Sequence, residues 1–220
     1  MDANRISVPE EDIDNYYCNL ERILPSIRAQ FCYNVDEVGY LEREDAREVY
    51  VIVRADYPMK TCYYSIDQNS KRAKAIHCIC TDAEFIPPTI ITSRMTVESS
   101  IDTILPKESY KLVYQTHGFV NTEIFRDWFL NSFLYLLKLK RFKYGYKGYA
   151  LLILDGFIAH KKIIEEENKP EFKLIVLFLV AHSSDQTQPL DLGTFGIAKR
   201  YVYKFDNLDN SPSKLVTNLK

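Results

Sequence analysis

Two hydrophobic periods alternate along this chain. Ile13, Tyr16, Tyr17, Leu20, Ile23 and Leu24 recur at helical spacing behind Pro9 and a Ser7/Glu10 capping-box pair. That pattern predicts an amphipathic helix over Glu10–Leu24, stopped near Pro25. FCYNVDEVGY then switches to a period of two. Phe31, Tyr33 and Val35 fall on one face and Cys32, Asn34 and Asp36 on the other, in a strand expected to end at Asp36-Glu37. A charged link over Arg43–Arg47 leads to expected short strands at Glu48–Val53 and Thr61–Ser65. Arg72–Thr81 and Ile86–Thr92 read as a hairpin turning at Ala83-Glu84, with Pro87-Pro88 marking an edge or a bulge. His77 points away from Cys78 and Cys80 along such a strand, so these three make a poor metal site, and the thiols read as buried structural ones. Met95–Ser109 is a polar connector, and Lys111–Gln115 a further short strand.

The second half opens on the clearest helix, Asn121–Leu139. Asn121 or Thr122 caps it, and Ile124, Phe125, Trp128, Phe129, Phe133, Leu136 and Leu137 form a wide apolar stripe. Behind it, KLKRFKYGYKGY interleaves Lys138, Lys140, Arg141, Lys143 and Lys147 with aromatic rings. Such interleaving suits nucleic-acid contacts, and cations also gather at helix C-termini because the macrodipole favours them there. The uninterrupted apolar run Ala150–Leu154 predicts a strand covered on both faces, as inside a parallel sheet, and it ends on Asp155-Gly156. A short helix over about Phe157–Glu167 and a second buried strand over Lys173–Val180 follow. Pro189 then holds Gln188 extended, and Asp191 stands where the N-cap of a helix starting near Leu192 belongs.

Composition narrows the class without choosing the chemistry. With 220 residues, 46% apolar and 26% charged, the chain is long enough for one globular domain. A net charge of −2 offers no global basic field. The longest apolar run is far too short for a membrane helix, the acidic N-terminus has no signal-peptide character, and five cysteines without CxxC spacing point to a reducing compartment. The expected location is nuclear or cytosolic, not secreted, with no membrane partner.

Three carboxylates carry the candidate chemistry. Asp36 and Asp155 each close a predicted strand, and strands lying side by side would bring them to one sheet edge. The 36 positions between Asp155 and Asp191 leave room for a helix, a strand and a loop. Three hard oxygen ligands suit Mg²⁺ or Mn²⁺ and not zinc, and two such ions can assist phosphodiester displacement.

YNVDEVGY, AKAIHCICTDAEFIPPTII, IFRDWFLNSF, LLILDGFIAH and QPLDLGTFGIAKRYV occur in that order. Together they resemble the DDE superfamily endonuclease domain of pogo-like transposases, the type also found in jerky and centromere-binding-protein-B proteins. The resemblance implies an α/β, ribonuclease-H-like mixed sheet flanked by helices. The chain is expected to be a single catalytic core over 1–220, best matched over 10–203, without the N-terminal helix-turn-helix that family transposases carry. The resemblance implies DNA cleavage by a metal-binding triad of Asp36, Asp155 and Asp191, with DNA as partner, nuclear work and room for homo-oligomerisation. Glu37, His160 and Gln188 are expected to position metal ligands or substrate. Phe157 departs from the family's usual His or Asn, and Val180-Ala181 from its Pro-Pro. The alternative is a domesticated nucleic-acid-binding or interaction domain without turnover. Asp155→Asn is expected to be at least as stable as wild type without metal.

Overall fold

A computed structural model describes residues 8–41, 72–93 and 109–197. Helix α1 (Glu10–Ile23) buries Tyr16 and ends in a tight turn at Leu24–Ser26, where Pro25 cannot continue it. Strands β1 (Cys32–Leu41), β2 (Arg72–Cys80), β3 (Phe85–Thr92), β4 (Lys111–Tyr114), β5 (Ala150–Leu154) and β6 (Leu174–Phe178) form one mixed sheet in the order β4-β3-β2-β1-β5-β6. β1, β2 and β3 are antiparallel neighbours; β4 joins β3, β5 joins β1 and β6 joins β5 in parallel.

The two halves are stitched together at β1 and β5. These strands lie 119 or so positions apart in sequence, and their register sets Cys32, Tyr33 and Asn34 level with Leu151, Leu152 and Ile153. β5 is buried on both faces along its whole length, as its uninterrupted apolar run predicts. β1 does not end at Asp36-Glu37 as expected. It runs on to Leu41, paired with β2 through Leu41↔Arg72, because the long partner strand continues the ladder past the two charges. The prolines of β3 sit where its register against β2 shifts, so they mark a bulge; β3 itself has a neighbour on each side.

One face of the sheet is covered by a long helical run. Helix α2 (Thr122–Asp127) is capped by Asn121, whose Oδ1 accepts from the Ile124 N–H at 2.8 Å. A π-helical stretch, Trp128–Leu134, continues it into α3 (Tyr135–Tyr144), which ends at Gly145 in the left-handed conformation (φ 58°). The run therefore carries on past Leu139 and takes in most of the basic segment. Its inward stripe of Phe125, Trp128, Phe129 and Phe133 is fully buried, and Phe133 meets Tyr33 of β1 edge-on at 5.3 Å. Helix α4 (Ile158–Glu167) follows Asp155 and lies beside α2. Cys78 and Cys80 are buried free thiols. No helix among the described residues is long and apolar enough to cross a membrane. The strands expected at Glu48–Val53 and Thr61–Ser65, and most of the Met95–Ser109 connector, lie outside the described residues.

Candidate active site

Continuing the β1–β5 register by two residues sets Asp36 level with Asp155 at the C-terminal edge of β5. In open α/β sheets this is the edge at which ligands bind. Alternation along β1 then splits the site between the two faces of the sheet.

On the helix-covered face stands Glu37. His160 of α4 bridges it to Asp155: its Nδ1 is 2.6 Å from Asp155 Oδ1, and its Nε2 is 3.1 Å from Glu37 Oε1. The ring is buried and stacks on Phe125 at 4.1 Å. Burial opposes the imidazolium, but bonds to two carboxylates outweigh it and push His160 up to about 9. At neutral pH both ring nitrogens therefore donate. Lys74, across the sheet on β2, completes the chain at 3.5 Å from Glu37 Oε2.

On the opposite face stands Asp36, approached by the C-terminal segment. Helix α5 (Ser184–Thr187) leads into Gln188, and a turn of π-helix spans Leu190–Thr194. Two buried amides fasten this segment. Asn34 Nδ2 donates to Gln188 Oε1 at 2.6 Å and to the Ile153 carbonyl at 3.1 Å, while Asn34 Oδ1 accepts from the Leu190 N–H at 3.1 Å. Gln188 Nε2 reaches the Val35 carbonyl at 3.4 Å. Asp191, next along, lies inside the turn behind Pro189 and is not its N-cap, because Pro189 already holds helical dihedrals. His77 faces Asp36 directly across the β1–β2 ladder and packs edge-on against Phe195 at 5.6 Å.

Asp36 is half-buried, and its carboxyl is pushed up to about 7. Burial is the main cause; the charges of Asp191 and Asp155 add to it, against a hydrogen bond from the Glu37 N–H. Asp36 thus feels the charge of both other carboxylates. Their oxygen chemistry fits a hard divalent cation, and a buried carboxylate crowded by like charge is one that a cation would relieve. Among the described residues no three carboxylate, imidazole or thiol side chains converge tightly enough to enclose a single ion. His160 engages Asp155 on the helix face, while Asp36 lies on the other face, where the charge of Asp191 reaches it.

The basic segment sits elsewhere. Arg141 donates to the carbonyls of Phe172, Gly148 and Lys173, which lie just before β5 and β6. That edge is separated from Asp155 by the length of β5, roughly 16 Å at 3.3 Å per residue. Lys140 is buried, paired with Asp82 at 2.7 Å and Glu84 at 2.9 Å, and lies over the Tyr33 ring at 5.6 Å. Lys140 and Arg141, both expected as phosphate contacts, are engaged by these partners within the fold. Lys143 is mostly exposed and 3.5 Å from Glu84, and Lys138 and Lys147 are exposed, all at this far end of the molecule.

Sequence reasoning missed Asn34, Lys74, His77 and Lys161. Lys161 is exposed on α4 and folds back over Gly156, where an added Cβ would meet its Cε at 3.4 Å and its Nζ at 3.5 Å. It brings a cation to the carboxylate edge.

A mixed sheet whose two central parallel strands bring acids to one edge, with helices on its flank, is the ribonuclease-H-like nuclease fold. Residues 69–212 match the DDE superfamily endonuclease family, and the chain belongs to it. The match includes Asp155 and Asp191; Asp36 lies ahead of it. Solved structures with the same fold include a Mos1 mariner paired-end complex with Mn (12% identity, TM-score 0.53, covering 98% of this chain and 60% of that one). A mariner Mos1 paired-end complex with Mg (14%, TM-score 0.52, 97% and 62%) and a Mos1 strand transfer complex (12%, TM-score 0.52, 98% and 60%) are similar to the same degree. The chain thus spans about three fifths of the length of these neighbours. No curated protein shows significant sequence similarity to it.

Proposed function

We propose that the chain is the DNA-cleaving core of a transposase-type endonuclease, dependent on Mg²⁺ or Mn²⁺ held by Asp36, Asp155 and Asp191. One observation carries this reading: the β1–β5 register sets Asp36 level with Asp155, and the Asn34–Gln188 pair draws the Asp191 segment to the same edge. Bound there, a divalent cation would polarise the phosphodiester and stabilise the departing oxygen. The protein's own part is positioning. His160 fixes Asp155 through one oxygen, Glu37 and Lys74 fix His160, and Gln188 sets the approach of Asp191. The fold neighbours, described as paired-end and strand transfer complexes, support DNA as partner; a nuclear location is part of the same proposal.

A second reading, a DNA-binding or interaction domain without turnover, is favoured by the separation of the carboxylates and by His160 holding Asp155. Plasmid nicking separates the two. Under the first reading the wild type nicks supercoiled DNA in Mg²⁺ or Mn²⁺, and Asp155→Asn, bound to DNA equally well in Ca²⁺, does not. DNA binding by the wild type with no nicking in either metal would transfer the case to the second reading.

A further inference from the structure

The carboxylate edge is bordered by apolar side chains that face solvent. Phe157, two residues past Asp155, is 58% exposed, Ile158 after it is 81% exposed, and Leu192, beside Asp191, is 61% exposed. Single exposed apolar residues are ordinary on any protein surface. These three are distinguished by place, since each lies within three residues of a carboxylate of the site. Phe157 is also held: it precedes α4, and its ring meets His160 edge-to-face at 5.3 Å, fixing it beside the imidazole that grips Asp155. The exposed cation Lys161 stands one turn further along the same helix.

The backbone of an intact duplex offers anionic oxygens and sugar edges, which Lys161 can answer and an apolar rim cannot. An unpaired base offers a flat π-face, which an exposed phenyl ring matches without regard to sequence. We propose that Phe157 is a stacking platform for an unpaired nucleobase next to the phosphate at the carboxylate edge, so that this site takes single-stranded or frayed DNA in preference to closed duplex. Ile158 excludes water beside the stacked base, and Lys161 takes an adjoining phosphate. The inference rests on the nuclease reading for the identity of the phosphate, and on the rim alone for the base.

The test uses the full chain in Ca²⁺, where binding is read without turnover. The probes are a single-stranded oligonucleotide carrying 2-aminopurine and its blunt duplex, with wild type, Phe157→Ala and Phe157→Trp. The wild type should bind the single strand more tightly than the duplex and quench the 2-aminopurine. Phe157→Ala should lose about tenfold in single-strand affinity together with the quench, the loss expected of one base–ring stack, with duplex affinity little changed. Phe157→Trp should keep both. Unchanged single-strand affinity and quenching in Phe157→Ala, or no preference for the single strand in wild type, would overturn the proposal. Melting temperatures of the variants guard against misfolding, which an exposed position makes a small concern. A wild type that nicks in Mg²⁺ while Phe157→Ala binds normally sinks the platform and leaves the nuclease. A wild type that shows the quench and never nicks does the reverse.

Discussion

Asp36 gives the sharpest thermodynamic handle on the site. Its carboxyl rises from an ordinary 3.8 to about 7 in the folded chain, chiefly through burial and then through the charges of Asp191 and Asp155. An acid raised on folding binds its proton more tightly in the native state, so ionising it works against the fold. The penalty is absent below about pH 4, where both states are protonated; it grows between about pH 4 and 7 and is complete above 7. At about 1.4 kcal/mol per pH unit, the upper bound is about 4 kcal/mol. Half-burial and water at the edge reduce it to roughly 1–3 kcal/mol, or about 3–10 °C in melting temperature for a domain of this size. Asp36→Asn keeps an oxygen to accept the Glu37 N–H and removes the charge. Without divalent metal the variant should therefore melt above wild type at pH 8, and the two should converge by pH 4. Mg²⁺ or Mn²⁺ should close the gap at pH 8 by stabilising wild type alone, through mass action on the folded state. Scanning calorimetry from pH 4 to 8, with EDTA or metal, reads all of this. A gain that persists undiminished at pH 4, or equal stabilisation of both proteins by metal, would refute the reasoning.

Two further outcomes are expected. Trp128 is fully buried and its indole N–H has no partner among the described residues, so Trp128→Ala should cost about 3–5 kcal/mol in urea unfolding, and Trp128→Phe distinctly less, since it keeps a ring and removes the stranded donor. In duplex-binding titrations against salt, Lys161→Ala should flatten the slope by about 0.9, one phosphate's worth, while Lys138→Ala and Lys147→Ala leave it unchanged; fluorescence anisotropy reads the slopes, and a larger effect at the far end would return the backbone contact to that segment.

Much of the fold was legible because hydrophobic period and burial agree. α1 ends within a residue of its expected stop, β5 lies where its apolar run lies, and the Arg72–Thr81 and Ile86–Thr92 hairpin forms around the expected turn. The failures share a cause. The end of β1 was read from its own charged residues, but a strand stops where its partner's ladder stops, and β2 continues to Arg72. The basic segment was read by composition, which cannot tell an outward lysine from one that turns inward. Lys140 turns inward because Asp82 and Glu84, nearly sixty positions earlier, occupy the hairpin turn that packs against it.

The site divides along the same line. Which acids meet is a matter of topology, and the alternating pattern with a buried parallel strand carries that much. How they meet depends on long-range polar partners. Asn34 was visible on the Asp36 face, yet nothing local says that its amide reaches Gln188, 154 positions away. Likewise His160 follows Asp155 by five, a spacing that suggests contact, while its second bond to Glu37 spans 123 positions. That second bond alters the reasoning on Asp155. Read as one of three repelling carboxylates, Asp155 should be relieved by mutation to Asn. In the structure it is the anion that His160 holds, and removing its charge leaves the buried imidazolium with Glu37 alone. The relief expected on neutralising the acidic cluster therefore belongs to Asp36, which has no cation opposite it among the described residues and whose cross-strand neighbour, His77, burial keeps neutral by lowering it to about 4.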